Sequence, residues 1–569
     1  MRSDSSRLGI STFDAISVSR MRGSPWQAIV HTLTAVSTMC VMPGRGSFAG
    51  DRRKYGTGYM EQDVFSVFRR RAEAAPTSPF LVLPDGSSIS YADAAARSGR
   101  MANLFRNLGV KAGDRIAIQV EKTANALLSY LAAMRIGAVY LPLNTGYTPA
   151  EVRFFLTDAE PTLFIHRPED DMAMADLCAD IGVPQRLTLG ADGAGTLVVG
   201  LAAHAAQCED CAVAETDLAA ILYTSGTTGR SKGAMLTHDN LVSNATTLAE
   251  CWRFTSDDRL LHALPIFHTH GLFVATNVTI MAGSAIILLP RFDAAELIRL
   301  MPQATTLMGV PTFYTRLLAS PDFTRERIAN IRLFVSGSAP LSAETHRAFS
   351  VRTGHAILER YGMTETNMNS SNPYDGDRVP GSVGLPLPGV ELRITDPATG
   401  SPLPDGEAGM IEVRGPNIFK GYWRLPEKTA EDLRSDGFFI TGDLGVIDER
   451  GYVSIVGRAK DLIICGGFNV YPAEVETLLD AVPGVVESAV IGVPHPDMGE
   501  GVVAVVQRDA SGLDEAGVLA ALAGQIARFK QPRRVVFVSE LPRNTMGKVQ
   551  KKQLREEYSG LFAAKEIAR

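Results

Sequence analysis

Cysteine and long apolar runs are both scarce in this sequence. Its 569 residues include six cysteines, too few for the disulfide framework of a small secreted protein, so a reducing compartment is the simpler interpretation. A membrane-spanning helix needs about 20 predominantly apolar residues. The best candidate run, residues 26–42, is interrupted by glutamine, histidine, serine and threonine side chains. We therefore expect no membrane-spanning segment.

Excess positive charge is also lacking. The net charge is −6 at pH 7, which gives no support for binding nucleic acid or another polyanion. The balance is uneven, because residues 1–59 contain eight Lys or Arg and three Asp or Glu, a net charge of +5. A basic, Ser-rich, acid-poor start is typical of an organellar transit peptide. The alternatives are a disordered leader, or translated sequence upstream of the true start, since the segment from Met60 is typical of the amphipathic first helix of a soluble enzyme. We expect a cytoplasmic protein, or a mitochondrial one if the leader is a transit peptide.

Two of the cysteines, Cys208 and Cys211, form a C-x-x-C pattern. A structural zinc site would need two more ligands at a suitable spacing, and the sequence offers no second pair. A redox pair usually opens a helix, whereas these residues lie in a polar connector. We interpret both as incidental surface cysteines.

Hydrophobic periodicity divides the chain into regions. From about Thr77, short apolar runs alternate with helical segments, which predicts parallel α/β sheets. After about Gly384, short strands between Gly, Pro and Asp turns indicate a small β-rich subdomain. The tail alternates again and is long enough for a separate α+β domain. The expected units are a basic leader at 1–59, a large domain at 60–456 and a small, mobile domain at 457–569, with a hinge near 458–461.

A loop rich in glycine and hydroxyl side chains follows a predicted strand at 219–223. Its sequence is YTSGTTGRSKG, residues 223–233. Backbone N–H groups and hydroxyls in such a loop converge on phosphate oxygens, and a lysine adds a positive charge. The register differs from the G-x-x-x-x-G-K-[ST] of a Walker A loop, which disfavours a P-loop kinase or ATPase. The candidate phosphate-binding residues are Thr224, Ser225, Gly226, Thr227, Thr228, Gly229 and Lys232.

Seven further motifs follow in order along the chain. They are LPIFHTHG at 264–271, SGSAPL at 336–341, RYGMTET at 360–366, TGDL at 441–444, GRAKD at 457–461, GGFNVYP at 466–472 and PRNTMGK at 542–548. Together with the glycine-rich loop, they resemble the adenylate-forming superfamily of acyl-CoA synthetases, luciferases and peptide-synthetase adenylation domains. The resemblance covers about residues 62–560. It implies a large N-terminal domain and a small C-terminal domain that rotates about Lys460.

The chemistry that this resemblance implies is the activation of a carboxylate by ATP. Attack of the carboxylate on the α-phosphate gives an acyl-adenylate and pyrophosphate, and the thiol of coenzyme A then displaces AMP. The first step brings two anions together, so it needs cations and fixed hydrogen-bond donors around the phosphorus. ATP, Mg²⁺ and coenzyme A are therefore expected, with no nucleic-acid or membrane partner.

The resemblance also implies roles for individual residues. Lys548 would contact the reacting carboxylate and the α-phosphate, Thr364 a phosphate, and Glu365 the Mg²⁺ ion, which needs few protein ligands beside phosphate oxygens. Without the motif, Glu365 would be a surface-loop carboxylate. The residues expected around the adenine and ribose are Gly337, Ser338, Ala339, Tyr361, Gly362, Asp443 and Arg458. Acetylation of Lys548 would remove its charge and switch the enzyme off.

Two motifs are expected to serve the second step. His268 would gate the acyl pocket, and Gly466 and Gly467 would let the backbone approach the pantetheine arm of coenzyme A. A metal site at His268 and His270 is the alternative, but no carboxylate lies at a metal-ligand spacing.

Longer segments are similar to bacterial-type malonyl-CoA synthetases, among them MGVPTFYTRLL and ERYGMTETNMNSSNPYDGDRVPGSVGLPLPG. The implied reaction is the ligation of malonate to coenzyme A. A second carboxylate cannot be buried unpaired, so we expect a short pocket with polar or cationic groups, assigned to Thr269, Met368 and Arg291. For Arg291, a surface arginine at a strand end is the alternative. Ligation of methylmalonate or of another short-chain or aryl acid, and nucleotide binding without turnover, are the alternative functions.

Overall fold

The computed structural model describes residues 63–224, 231–466, 468–509, 512–544 and 547–562. The leader and some of the predicted site residues therefore lie outside the described residues, namely Ser225, Gly226, Thr227, Thr228, Gly229 and Gly467. In the described residues, no helix is both long enough and apolar enough to cross a bilayer. The same residues contain no group of three or more His, Cys, Asp or Glu that could hold a metal ion.

The described residues form α-helices and β-strands that alternate along most of the chain. The strands are β1 (Pro79–Val82), β2 (Ser88–Ser90), β3 (Arg115–Gln119), β4 (Val139–Pro142), β5 (Leu163–His166), β6 (Gln185–Thr188), β7 (Leu218–Thr224), β8 (Lys232–Thr237), β9 (Arg259–His262), β10 (Ala285–Leu288), β11 (Thr306–Gly309), β12 (Leu333–Ser336), β13 (Leu358–Met363), β14 (Asn367–Ser371), β15 (Leu385–Pro386), β16 (Glu391–Thr395), β17 (Gly409–Arg414), β18 (Gly421–Tyr422), β19 (Phe439–Ile447), β20 (Val453–Arg458), β21 (Ile463–Cys465), β22 (Phe468–Val470), β23 (Val485–His495), β24 (Gly499–Arg508) and β25 (Arg534–Val538).

The helices cover the faces of the sheets. They are α1 (Val64–Ala74), α2 (Tyr91–Asn107), α3 (Ala124–Arg135), α4 (Pro149–Ala159), α5 (Asp171–Ile181), α6 (Thr196–Leu201), α7 (His238–Cys251), α8 (Asn277–Ala282), α9 (Ala294–Leu300), α10 (Pro311–Leu318), α11 (Ala343–Thr353), α12 (Pro426–Asp432), α13 (Pro472–Leu479), α14 (Glu515–Leu522) and α15 (Lys551–Glu557). A turn of π-helix, His270–Thr276, precedes α8.

Two large sheets have parallel centres, with antiparallel strands at both edges of the nine-stranded sheet and at one edge of the seven-stranded sheet. The nine-stranded sheet has the order β15-β14-β13-β12-β11-β9-β10-β1-β2, and the seven-stranded sheet has the order β18-β8-β7-β4-β3-β5-β6. Strands β4, β5, β10, β11 and β12 are buried along their whole length, as expected of parallel strands covered on both faces. The predicted α/β fold is thereby confirmed.

The remaining strands form two smaller sheets. The antiparallel sheet β16-β17-β19-β20 is the predicted β-rich subdomain, and it ends at Arg458. The small C-terminal domain contains β22-β21-β24-β23, with β25 parallel to β24, and it packs its own apolar core. Helix α14 of this domain ends at Leu522. The segment near 458–461 is the end of β20 followed by one 3₁₀ turn.

The nine-stranded sheet brings the motif loops together. Strands β9, β11, β12 and β13 are parallel neighbours, so their carboxyl ends lie at one edge of the sheet. The loops LPIFHTHG and SGSAPL follow β9 and β12, and the turn carrying Glu365 follows β13. Ligands bind at this edge in open α/β sheets, which marks it as the candidate site.

Candidate active site

Glu365 lies in the turn between β13 and β14 and is only 5% exposed. The hydroxyls of Thr224 and Tyr422 donate to its Oε1 at 3.3 and 3.2 Å. Burial raises the pKa of the Glu365 carboxyl, and the nearby charge of Lys232 partly offsets the effect. Glu365 is therefore not the surface-loop carboxylate of the alternative interpretation. Thr364 lies beside it and is half-buried.

Lys232 begins β8, directly after the part of the phosphate loop that is not described. Its Nζ lies 3.5 Å from Asp432 Oδ2 and 4.0 Å from the centre of the Tyr422 ring. Lys232 and Glu365 therefore both contact Tyr422, and the counter-charge of Lys232 is Asp432 at 3.5 Å.

Tyr361 and Asp443 are hydrogen-bonded to each other. The Tyr361 hydroxyl donates to Asp443 Oδ2 at 2.6 Å, and Arg458 Nε lies 2.9 Å from Asp443 Oδ1. Burial and the Asp443 carboxylate raise the pKa of Tyr361 far above its ordinary value, so the phenol stays protonated. Residues predicted to bind adenine and ribose are thus in contact, although their motifs lie more than 80 positions apart.

The two histidines of the LPIFHTHG motif have different surroundings. His268 Nδ1 accepts from the His270 backbone N–H at 3.3 Å, and His270 Nδ1 lies 3.1 Å from Ser338 Oγ. Burial lowers the pKa of His268 to about 3, and the charges of Lys548 and Arg360 contribute. His268 is therefore neutral at pH 7. Between the two histidines, the buried Thr269 Oγ1 has no hydrogen-bond partner in the described part of the chain.

Arg360 is a buried cation that points into the same region. It is 3% exposed, and within the described ranges its Nε and Nη2 have no hydrogen-bond partner. Burial lowers the pKa of its guanidinium to about 9, so it remains charged at pH 7. A Cβ atom on Gly337 would lie 2.4 Å from Arg360 Cζ. This close approach explains why a glycine stands in the SGSAPL loop, next to Ser338 with a φ of +70°.

Lys548 reaches this site from the small domain. Burial and the Arg458 guanidinium lower the pKa of Lys548 to about 8, and Asp443 and Glu365 act in the opposite direction. Its backbone N–H donates to Asn544 Oδ1 at 3.0 Å. The lysine is therefore close enough to the groups of the large domain to be influenced by their charges.

Other predicted residues take positions around this centre. Met368 is 2% exposed and lies opposite Gly362 in the β13–β14 hairpin, while Ala339 is half-buried in the SGSAPL loop. Lys460 is exposed in the 3₁₀ turn after β20, and Gly466 is exposed at the β21–β22 turn.

Arg291 does not belong to the buried cluster, which corrects our expectation of a buried counter-charge. Its side chain is exposed and lines a surface groove with Asp293, Glu296 and Arg299. An exposed guanidinium keeps its hydration and does not pair a carboxylate buried in a pocket. The surface alternative for Arg291 is the better interpretation.

The sequence interpretation missed Arg360 and Tyr422. Arg360 stands within the quoted motif RYGMTET, and a charged residue in a strand that is otherwise expected to be buried is the signal that could have singled it out. Tyr422 has no such signal, because only folding brings it to Glu365, 57 positions away in sequence.

Comparisons with known proteins agree with this geometry. The family model of the AMP-binding enzymes matches residues 68–423, and the model of their C-terminal domain matches residues 474–548. The chain belongs to the AMP-binding enzyme family. It is thus an adenylate-forming enzyme and an acyl-CoA ligase, and ligases of this family use ATP and coenzyme A.

Three similar proteins show how far the likeness extends. ATP-bound MatB from Rhodopseudomonas palustris is 58% identical with a TM-score of 0.86, over 88% of this chain and 100% of that one. Feruloyl-CoA synthase from an Amycolatopsis species is 37% identical over 86% of this chain and 98% of its own. Malonate–CoA ligase from Arabidopsis thaliana is 34% identical over 87% of this chain and 89% of its own. The relatives therefore act on different acids.

Proposed function

We propose that this acyl-CoA ligase joins malonate to coenzyme A. The reaction proceeds from malonate and ATP to malonyl-AMP and pyrophosphate, and then from malonyl-AMP and coenzyme A to malonyl-CoA and AMP. The observation that carries the proposal is the buried guanidinium of Arg360, whose Nε and Nη2 have no hydrogen-bond partner among the described residues. The similarity to an Arabidopsis malonate–CoA ligase supports it.

The distal carboxylate of malonate would pair with Arg360, which has no partner for Nε and Nη2 in the part of the chain that the structure describes. An unpaired cation in a buried site is unfavourable, and a planar carboxylate can accept two N–H bonds from a guanidinium. The unpaired hydroxyl of Thr269 and the unpaired Nε2 of His270 can supply further hydrogen bonds. An acid with an apolar chain would leave all three groups unsatisfied. The site therefore fits a short diacid better than a fatty or aryl acid.

The same proposal assigns catalytic and binding roles to the other residues of the site. Lys548 lies between the reacting carboxylate and the α-phosphate and lowers their repulsion. Asp443 and Arg458 bind the ribose, Tyr361 stacks on adenine, and Thr364 contacts a phosphate. The phosphate loop around Thr224 binds the β- and γ-phosphates.

The donor set around Glu365 fits Mg²⁺. The ion prefers oxygen ligands and keeps most of its waters or phosphate oxygens, so one buried carboxylate suffices on the protein side. Glu365 would hold the ion, which would neutralise charge on the triphosphate. Both hydroxyls at Glu365 contact the same oxygen, Oε1.

The acid preference can be measured by pyrophosphate release. The panel contains malonate, methylmalonate, sulfoacetate, acetate, propionate and coumarate, and the measured quantity is kcat/KM for each acid. Malonate should be preferred to acetate by on the order of a hundredfold or more, because acetate leaves the buried charge unpaired. Methylmalonate adds one methyl group and should lose at most ~10–200-fold. Equal values for acetate and malonate would contradict the proposal.

Replacement of Arg360 tests whether its guanidinium contacts the distal carboxylate of the acid or the α-phosphate of ATP. Arg360→Met should lower kcat/KM for malonate by on the order of a hundredfold and leave acetate and propionate nearly unchanged. If the guanidinium instead contacts the α-phosphate, all acids will fall together. Arg291→Met removes an exposed arginine and is the matched control, with no expected effect on the acid preference.

A further inference from the structure

Lys122 is a buried lysine that lies outside the groups discussed so far. It is 6% exposed and follows β3 of the seven-stranded sheet. Its Nζ lies 2.9 Å from His262 Nδ1, 2.7 Å from the His262 carbonyl and 2.9 Å from the Leu264 carbonyl. His262 ends β9 of the nine-stranded sheet. Lys122 therefore joins the two large sheets where the LPIFHTHG loop begins.

The hydrogen bonds decide the protonation of this pair. Burial lowers the pKa of both Lys122 and His262. Three acceptors around Nζ nevertheless match the three N–H bonds of an ammonium group, so the geometry favours charged Lys122 and neutral His262. With Nδ1 of His262 accepting from the lysine, its proton is on Nε2, which donates to the Gly271 carbonyl at 2.9 Å. That carbonyl also accepts from the Thr276 hydroxyl at 3.0 Å.

The two ends of one loop are held by this network. Lys122 binds the carbonyl of Leu264 at the start, and His262 binds the carbonyl of Gly271 at the end. The ends also touch each other, since a Cβ atom on Gly271 would lie 2.0 Å from the Pro265 carbonyl oxygen. Residues 265–270 are thus a closed loop that carries His268, Thr269 and His270.

We propose that Lys122 and His262 are positioning residues for the acid pocket. They touch neither ATP nor acid, and they act by fixing the closed loop 265–270 on which His268 and Thr269 stand. Without these hydrogen bonds the loop still carries His268 and Thr269, but their side chains are no longer held in position. Small displacements of active-site groups lower the rate of catalysis substantially. The residues expected at the ribose and adenine lie on other elements, and the contact between His270 and Ser338 links them to the loop, so the binding of ATP should depend on the network less than the binding of the acid does. The proposal requires the ligase activity but not the identity of the acid.

Lys122→Met keeps the length and the apolar stem of the side chain and removes the three N–H bonds. The KM for the acid that the wild type uses best should rise at least about tenfold, while the KM for ATP stays within about twofold. Hydrogen exchange should be faster at amides 264–272 and unchanged in the other strands of the sheet. Lys111→Met, at an exposed lysine of the same domain, is the control.

His262 supplies a second pair of variants if Lys122→Met does not fold. His262→Gln keeps an N–H that can reach the Gly271 carbonyl and should retain much of the acid affinity, whereas His262→Leu should lose it as Lys122→Met does. Equal rises of the KM for ATP and for the acid, or an unchanged exchange rate in the loop, would overturn the proposal. The exchange measurement needs no substrate, so it stands even if the acid panel excludes malonate.

Discussion

The side chain of Lys548 should matter to one half-reaction and not to the other. Lys548→Ala removes a charge that stabilises the adenylation transition state, which should slow pyrophosphate release on the order of a hundredfold or more. Transfer from presynthesised malonyl-AMP to coenzyme A should be largely spared, because the charge is not needed there. Lys552→Ala, at a lysine with a 78% exposed side chain, is the control. An equal loss of rate in both half-reactions would contradict the prediction that Lys548 serves adenylation and not thioester formation.

Acetylation of Lys548 should reproduce this effect without a mutation, because it removes the same charge. The measurement is pyrophosphate release before and after stoichiometric acetylation of the lysine, with its removal by a deacetylase as the control. Full activity in the acetylated enzyme would exclude this form of regulation.

The pH dependence of adenylation should reflect the deprotonation of Lys548. The pKa of Lys548 is lowered to about 8 in the folded protein, so the charged form that catalysis needs is lost as the pH rises through that value. The kcat/KM for ATP describes the free enzyme and should fall about tenfold per unit above pH 8. Thioester formation from malonyl-AMP should lack this alkaline limb. An identical limb in both half-reactions would assign it to another group.

Gly337, in the SGSAPL turn after β12, leaves room for the side chain of Arg360 in β13. A methyl group at position 337 would lie 2.4 Å from Arg360 Cζ, a distance that real Cβ atoms do not adopt. Gly337→Ala should therefore displace the guanidinium and raise the KM for malonate by about tenfold or more. Gly560→Ala has open space around it and is the control. An unchanged KM for malonate would show that Arg360 lies elsewhere when the acid is bound.

The elements that periodicity could predict are the buried strands and amphipathic helices. Strands β16 and β17 are among the short strands expected after about Gly384, where Gly, Pro and Asp turns delimit them. The antiparallel edge hairpin β13–β14 was not expected, since its buried polar residues lack an apolar alternation. The partners of its side chains come from distant segments. Motifs therefore indicated the candidate site, whereas the pairing of Glu365 with Tyr422 and the exposure of Arg291 required the folded chain.

The position of the small domain agrees with the first half-reaction. Lys548 lies among charges of the large domain, and a Cβ atom on Gly547 would lie 3.3 Å from Thr312 Oγ1 in α10. Gly466, which is predicted to meet pantetheine, lies in an exposed turn of the small domain. Lys548 and this turn would have to reach the same site in successive steps. We therefore propose a rotation near Lys460 between the two steps, as hinge enzymes do.

A reversible cross-link between the domains tests this rotation. Thr312→Cys with Gly547→Cys places two Cβ atoms near the separation of a disulfide, although the φ of +74° at position 547 costs about 1–2 kcal/mol for any residue other than glycine. The oxidised protein should still release pyrophosphate with malonate and ATP, because Lys548 is held at the site. It should form malonyl-CoA on the order of a hundredfold more slowly, and a reductant should restore the rate, since the turn carrying Gly466 would have to reach the site in this step. Thr312→Cys alone is the control, and thioester formation at full rate in the oxidised double variant would mean that both steps share one domain position.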